Sequence, residues 1–258
     1  MSENPVIYAL SDGVAVLTLN RPEVMNALTG ALRAALLAAL LRARAEARVI
    51  VLTGAGRAFC SGQDLIDAQG LGAGDFERVL NEEYVPLIRA ITEAPMPVIA
   101  AVNGAAAGAG ANLALACDVV IATESASFIQ AFTRIGLMPD AGGTYWLPRQ
   151  IGMARAMGAA LFAEKVPARQ AADWGMIWEA VPDEGFAAHV AARAATLARG
   201  PGLALSAVKQ ALRASPDNDL AGQLALEARL QGRLGATQDL AEGVAAFLDK
   251  RAPRFEGR

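Results

Sequence analysis

Two short glycine loops carry groups suited to holding negative charge. Ser61-Gly62-Gln63 lies in GAGRAFCSGQDL, residues 54 to 65, and Gly108-Ala109-Gly110 lies in VIAAVNGAAAGAGANLALACDVVIA, residues 98 to 122. The longer run reads as a buried strand at Val98 to Val102, an Asn103-Gly104 turn, the start of a short helix, and a further strand at Val119 to Ala122. A helix's first turn has N–H groups without intrahelical acceptors, which puts free donors at Ala109 and Gly110. If the strands preceding the two loops are neighbours, two N–H groups converge on one carbonyl oxygen, the arrangement that stabilises an enolate. Close packing of a helix explains the small residues equally well.

Acid–base chemistry has few carriers. His189 is the single histidine and sits in FAAHVAARAATLA, an amphipathic helical stretch far from the glycine loops, which removes histidine triads and histidine-rich metal sites. Cys60 and Cys117 have no metal-type spacing and read as buried reduced thiols, so no metal is expected. Proton transfer falls to a carboxylate, a tyrosine or a lysine. Gly104, Gly108 and Gly110 do not form G-x-G-x-x-G, and no G-K-[ST] follows a glycine loop, so no nucleotide cofactor is expected.

The elements that must position these loops follow from pattern. Val6 to Leu10 and Val14 to Leu19 form a hairpin around Ser11-Asp12-Gly13. Thr29 caps a helix with apolar residues at Leu32, Leu36 and Leu40, and Val49 to Thr53 is a strand followed by the 54 to 65 loop. Residues 69 to 74 are glycine-rich and read as a mobile loop beside a ligand, followed by a helix from Asp75 to Thr92. Ser127 to Phe132 is a short strand, and IGLMPDAGGT leads into a helix ending at Pro148. Beyond Ile151 helices are expected at 154–162, 168–174, 186–198, 203–214, 220–234 and 238–248, with a short strand at Glu179 to Val181. Leucines cover more than one face of 220–234, which implies burial by a neighbouring subunit. The class is α/β with a helical C-terminal module.

The 258 residues are 54% hydrophobic and 19% charged with a net charge of −3, which gives no footprint for nucleic acid or an anionic membrane. Residues 94 to 117 are uncharged, but Pro95, Pro97, Asn103 and the glycines break any continuous spanning helix. MSENPVIYAL has no basic region or long apolar core of a secretion signal, so a cytoplasmic location is expected.

Five ordered motifs then point to a family: NRP with NAL (Asn20 to Leu28), LTGAGRAFCSGQDL (Leu52 to Leu65), NGAAAGAG (Asn103 to Gly110), ALACD (Ala114 to Asp118) and GGTYWLPR (Gly142 to Arg149). Together they resemble the crotonase, or enoyl-CoA hydratase/isomerase, superfamily over nearly the whole chain. The resemblance implies a spiral of ββα turns at residues 1–195, a helical trimerisation region at 196–258, and a homotrimer or a hexamer made of two trimers. It also implies a CoA thioester substrate, oxyanion amides at Gln63 and Ala109, and CoA contacts at Ala27, Ser61, Gly62, Asp64, Leu65 and Gly108. Lys250, in the basic tail with Arg251 and Arg254, would meet the CoA phosphates, although a solvated tail reads equally well.

The departures carry functional information. By the resemblance, the two glutamates of a hydratase fall at Asn112 and Phe132, so water activation lacks its acid and base. Asp140 stands where hydratases have glycine, and the alternative role for it is a helix N-cap. Asp140 with GQDL, NGAAAGAG and WGMIW (Trp174 to Trp178) resembles the branch that isomerises ring-1,2-epoxyphenylacetyl-CoA to an oxepin. The expected chemistry is removal of the thioester α-proton by Asp140 and its return elsewhere. A 3,2-enoyl-CoA isomerase, a hydratase-like protein and a non-catalytic acyl-CoA-binding subunit are the alternatives. A dehalogenase ranks low, because its Trp and His would fall at Phe132 and Thr133. A helix N-terminus would favour ionised Asp140, whereas an apolar pocket of Phe132 and Met138 would oppose it.

Overall fold

The chain opens with alternating side chains in β1 (Val6–Ser11) and β2 (Val14–Leu19), which pair antiparallel and bury Ala15, Leu17 and Leu19 on one face. In this computed structural model the described residues are 4–70 and 72–257. Residues 1–3 of the N-terminal stretch and Leu71 of the glycine-rich 69–74 segment lie outside them. Thr29 caps α1 (Gly30–Glu46), its hydroxyl accepting from the Leu32 N–H, and Leu32, Leu36 and Leu40 pack inward.

A repeated pattern follows, in which each turn supplies one strand to each of two sheets and then a helix. β3 (Val49–Gly54) and β4 (Ala58–Cys60) precede a helical segment composed of α2 (Ala73–Val79), a wide π turn at Leu80–Tyr84, and α3 (Val85–Thr92). β5 (Val98–Val102) and β6 (Ala105–Ala107) lead to α4 (Ala109–Leu115). β7 (Val119–Thr123) and β8 (Ser127–Ile129) lead through a 3-10 turn at Ala131–Ile135 to α5 (Gly143–Phe162). Short β9 (Val166–Pro167), α6 (Ala168–Asp173) and β10 (Glu179–Val181) complete the sheets. Among the described residues one sheet has the order β1-β2-β3-β5-β7-β10 and the other β4-β6-β8-β9. Between them lies a core including Leu52, Phe59, Val102, Ala106 and Phe128. This is the expected ββα spiral.

Three expectations need correction. The 54–65 stretch is not all loop, because Ala58, Phe59 and Cys60 are buried and pair as β4. Phe132 lies in the 3-10 turn rather than in a strand. The helix after GGT continues past Pro148, and its break falls at Gly152, whose backbone at φ 76° and ψ 160° leaves the helical region. After β10, α7 (Phe186–Ala198) packs Phe186, Val190, Ala194 and Ala198 on the first sheet.

Past α7 come α8 (Gly202–Ala214), α9 (Leu220–Leu234) and α10 (Gln238–Leu248). α8 is anchored to the spiral by Asp118, which meets Lys209 at 2.7 Å and Arg213 at 2.7 Å. In α9, Leu226 and Leu230 are buried while Leu220 and Leu224 stay exposed. Among the described residues no helix is long and apolar enough to cross a membrane.

Candidate active site

Pairing between short strands brings the two glycine loops together. β4 and β6 are parallel neighbours, with Ala58 opposite Ala105 and Cys60 opposite Ala106, so the residues that leave them run side by side. Gly62 has φ +92°, and a Cβ there would stand 2.8 Å from the Ala107 oxygen and 3.3 Å from the Ala109 nitrogen. Only glycine permits both that backbone and that approach.

The direction of each N–H follows from its neighbours. The Leu28 N–H donates to the Gly62 oxygen at 2.8 Å and the Asp64 N–H donates to the Leu28 oxygen at 3.1 Å, so the Gln63 N–H between them points to the opposite side. Gly108, at φ 52°, precedes the first residue of α4 and donates its N–H to the Ile129 oxygen at 2.8 Å, leaving Ala109 as the first free donor of the helix. Among the described residues no acceptor takes the Gln63 or Ala109 N–H. Gln63 and Ala109 line one cavity of about 570 Å3, walled by Phe76, Leu80, Phe132 and Leu137 among others.

Asp140 lines the same cavity and, among its described lining residues, is the only carboxylate. Burial pushes its carboxyl up to about 6, and Oδ1 is buried with no hydrogen-bond partner. Burial is the larger cause, and a main-chain hydrogen bond at Asp140 acts against it. Phe132 contributes to the burial, whereas Met138 is 66% exposed and stays outside. The N-cap role is excluded: Gly142 occupies that position and no side chain caps α5.

A buried strut fixes the Asp140 loop. Asn112 donates from Nδ2 to the Asp140 main-chain oxygen at 2.8 Å and accepts at Oδ1 from Gln130 Nε2 at 2.8 Å. The Gly143 N–H meets the same Asp140 oxygen at 2.8 Å, and Ala141 is held at φ 46°. Asn112 thus spends its hydrogen bonds on positioning.

Ala27, Ser61, Asp64 and Leu65 meet at an adjoining hollow of about 580 Å3, beside Arg21. Arg21 bonds Asp64 at 2.9 Å and the Ala27 oxygen at 2.6 Å, and its guanidinium holds the Asp64 carboxyl below the usual range. Gly62 and Gly108 line the cavity that holds Asp140. Lys250, just past α10, lines neither hollow. His189 pairs with Glu179 at 2.8 Å, away from both, while Cys60 and Cys117 are buried free thiols that burial pushes up to about 12. Among the described residues no group of His, Cys, Asp or Glu is placed to hold a metal.

The Enoyl-CoA hydratase/isomerase family model matches residues 9–258. The chain belongs to the enoyl-CoA hydratase/isomerase family. A relative from Rhodobacter capsulatus, named "Probable enoyl-CoA hydratase", is 67% identical over 100% of both chains. The 1,2-epoxyphenylacetyl-CoA isomerase of Escherichia coli is 46% identical over 98% of each. The crystal structure of an enoyl-CoA hydratase from Bacillus anthracis superposes with a TM-score of 0.94 at 32% identity, covering 98% of this chain and 100% of that one. The fold is that of the crotonase superfamily, and the protein is an enzyme of acyl-CoA thioesters.

Three residues around the Asp140 cavity escape the motif reading. Arg33 and Tyr84 grip the Gln63 side chain, and Gln130 completes the Asn112 strut. Arg33 leaves one trace in sequence: it is the single charge between Thr29 and Leu41 on an otherwise apolar helix.

Proposed function

We propose that the chain is an acyl-CoA isomerase working through an enolate, with ring-1,2-epoxyphenylacetyl-CoA as substrate and an oxepin-CoA as product. One observation carries the reading: among its described lining residues the cavity presents two free backbone donors and a single carboxylate. By the family resemblance, Asn112 and Phe132 stand where a hydratase has its glutamates. Ionised Asp140 takes the proton from the carbon next to the thioester carbonyl. The C–H electron pair moves into the carbonyl, whose oxygen is held by the Gln63 and Ala109 N–H groups, each worth about 3 kcal/mol to the transition state. The ring bond shared with the epoxide opens, and protonated Asp140 returns a proton to a ring carbon. The product has the substrate's formula and a double bond conjugated with the thioester. A carboxyl near 6 suits a group that must both take and return a proton.

The CoA moiety would run past Ala27, Ser61, Asp64 and Leu65, with Lys250 reaching its phosphates from a neighbouring subunit. Phe247 is 83% exposed and Leu220 75% exposed, as faces awaiting subunit contacts in a homotrimer or a pair of trimers would be.

The test compares wild type with Asp140→Asn on three substrates: the ring epoxide, a 3-enoyl-CoA and a trans-2-enoyl-CoA. The expected result is ring-epoxide turnover that falls by about 10²–10⁴ in the variant, with no hydration of the 2-enoyl-CoA. Variant activity within about threefold of wild type would sink the assignment of Asp140. Preferred turnover of the 3-enoyl-CoA would move the substrate to the aliphatic class, and hydration would return the enzyme to the hydratases. Binding without α-proton exchange in heavy water would mark a non-catalytic subunit.

A further inference from the structure

Arg33 has no part in the chemistry above, yet it is only 3% exposed. Burying a guanidinium costs several kcal/mol unless partners replace its water, so what it touches is informative. Nη2 and Nε meet Glu83 Oε2 at 2.8 and 2.9 Å, while Nη1 donates to the Leu28 oxygen at 3.0 Å and to Gln63 Oε1 at 2.7 Å. Tyr84, whose ring lies 4.9 Å from the guanidinium carbon, donates its hydroxyl to the same Gln63 Oε1 at 2.6 Å. Burial pushes the Tyr84 hydroxyl up, so it remains a donor.

These contacts hold Gln63 from two directions. One acts on its side chain. The other acts on its backbone, because the Leu28 oxygen that Arg33 holds also receives the Asp64 N–H and so fixes the peptide flanking Gln63. Glu83 and Tyr84 come from the π turn at Leu80–Tyr84, and Leu80 and Tyr84 also line the acyl cavity. Such wide turns concentrate at functional sites.

We propose that Arg33 is a positioning residue for the Gln63 N–H: a planar cation that sets one oxyanion donor and ties it, through Glu83 and Tyr84, to the wall of the acyl cavity. The inference rests on the reading of Gln63 and Ala109 as oxyanion donors. A transition-state donor is sensitive to small displacements, about 10²-fold in rate for 1 Å. Lysine keeps the charge but lacks the fork needed to reach Glu83, Leu28 and Gln63 together.

The experiment records infrared difference spectra of phenylacetyl-CoA labelled with 13C at the thioester carbonyl, bound to wild type, Arg33→Lys, Arg33→Met and Glu83→Gln, alongside kcat and KM for the ring epoxide. Wild type is expected to shift the carbonyl stretch to lower frequency. Both Arg33 variants should lose most of that shift and about 10²-fold in kcat, with KM within about threefold. Glu83→Gln, a change at a partly exposed residue that spares the fold if Arg33→Met does not, should lie between. An unshifted carbonyl in wild type overturns the oxyanion reading and this inference with it. A wild-type shift that survives in Arg33→Met or Glu83→Gln with kcat unchanged, or full rescue by Arg33→Lys, overturns the inference alone.

Discussion

The two walls of the cavity are built on opposite principles. On the donor wall, strand pairing consumes the neighbouring hydrogen bonds, and the Gln63 side chain is held by Arg33 and Tyr84. On the base wall, Asp140 keeps an orphaned buried oxygen, its carboxyl is pushed up to about 6, and it is followed by a residue at φ 46°. Donors that act by fixed direction need saturated surroundings, whereas a proton carrier needs a setting that leaves both of its forms accessible. Rigidity on one side and unmet polarity on the other are the physical content of the site.

The largest expected effect after loss of Asp140 itself comes from deleting a single donor. Ala109→Pro removes one N–H at the first position of α4, where proline is tolerated. It should lower kcat for the ring epoxide by about 10²–10³ while circular dichroism stays unchanged. An unaffected kcat would show that the donor wall does not hold the developing charge.

A smaller effect tests the base wall through pH. With ionised Asp140 as the proposed base, kcat/KM should rise with pH through about 6. Below that point it should fall by about tenfold per pH unit, and a flat profile from pH 5 to 8 would contradict a buried carboxylate base.

The smallest concerns stability. The fold favours the neutral form of Asp140, so that contribution is complete below the ordinary value of 3.8 and is lost as pH rises through about 6. Asp140→Asn, inactive as a base, should therefore be more stable than wild type at pH 8 by about 1–3 kcal/mol and lose most of that advantage at pH 4.5. Urea melts of the two proteins at both pH values measure the difference. An equal gap at the two values would place the carboxyl in water.

What sequence spacing determined is the local part. Thr29 announced its cap, Gly62 and Gly108 announced donor loops, and the boundaries of α7, α9 and α10 followed from helical periodicity, because capping and amphipathicity depend on residues within a few positions. The family motifs extended that reading to the spiral and to Asp140. β4 and β6 were not legible, since three-residue buried strands have too few positions to show a period. The break at Gly152 rather than Pro148 was equally hidden, because it depends on a glycine's positive φ rather than on a missing N–H.

Only the tertiary structure decided how the walls are supported. Arg33, Gln63 and the adjacent pair Glu83-Tyr84 come from three separate stretches of chain, and Gln130, Asn112 and Asp140 from three others. No local pattern registers such pairings. Their partners are chosen by the cost of leaving buried polar groups unpaired, which depends on what the fold brings within about 3 Å. Sequence fixed which residues were able to do chemistry, and the packing of the two sheets determined that two N–H groups and one carboxylate face the same space.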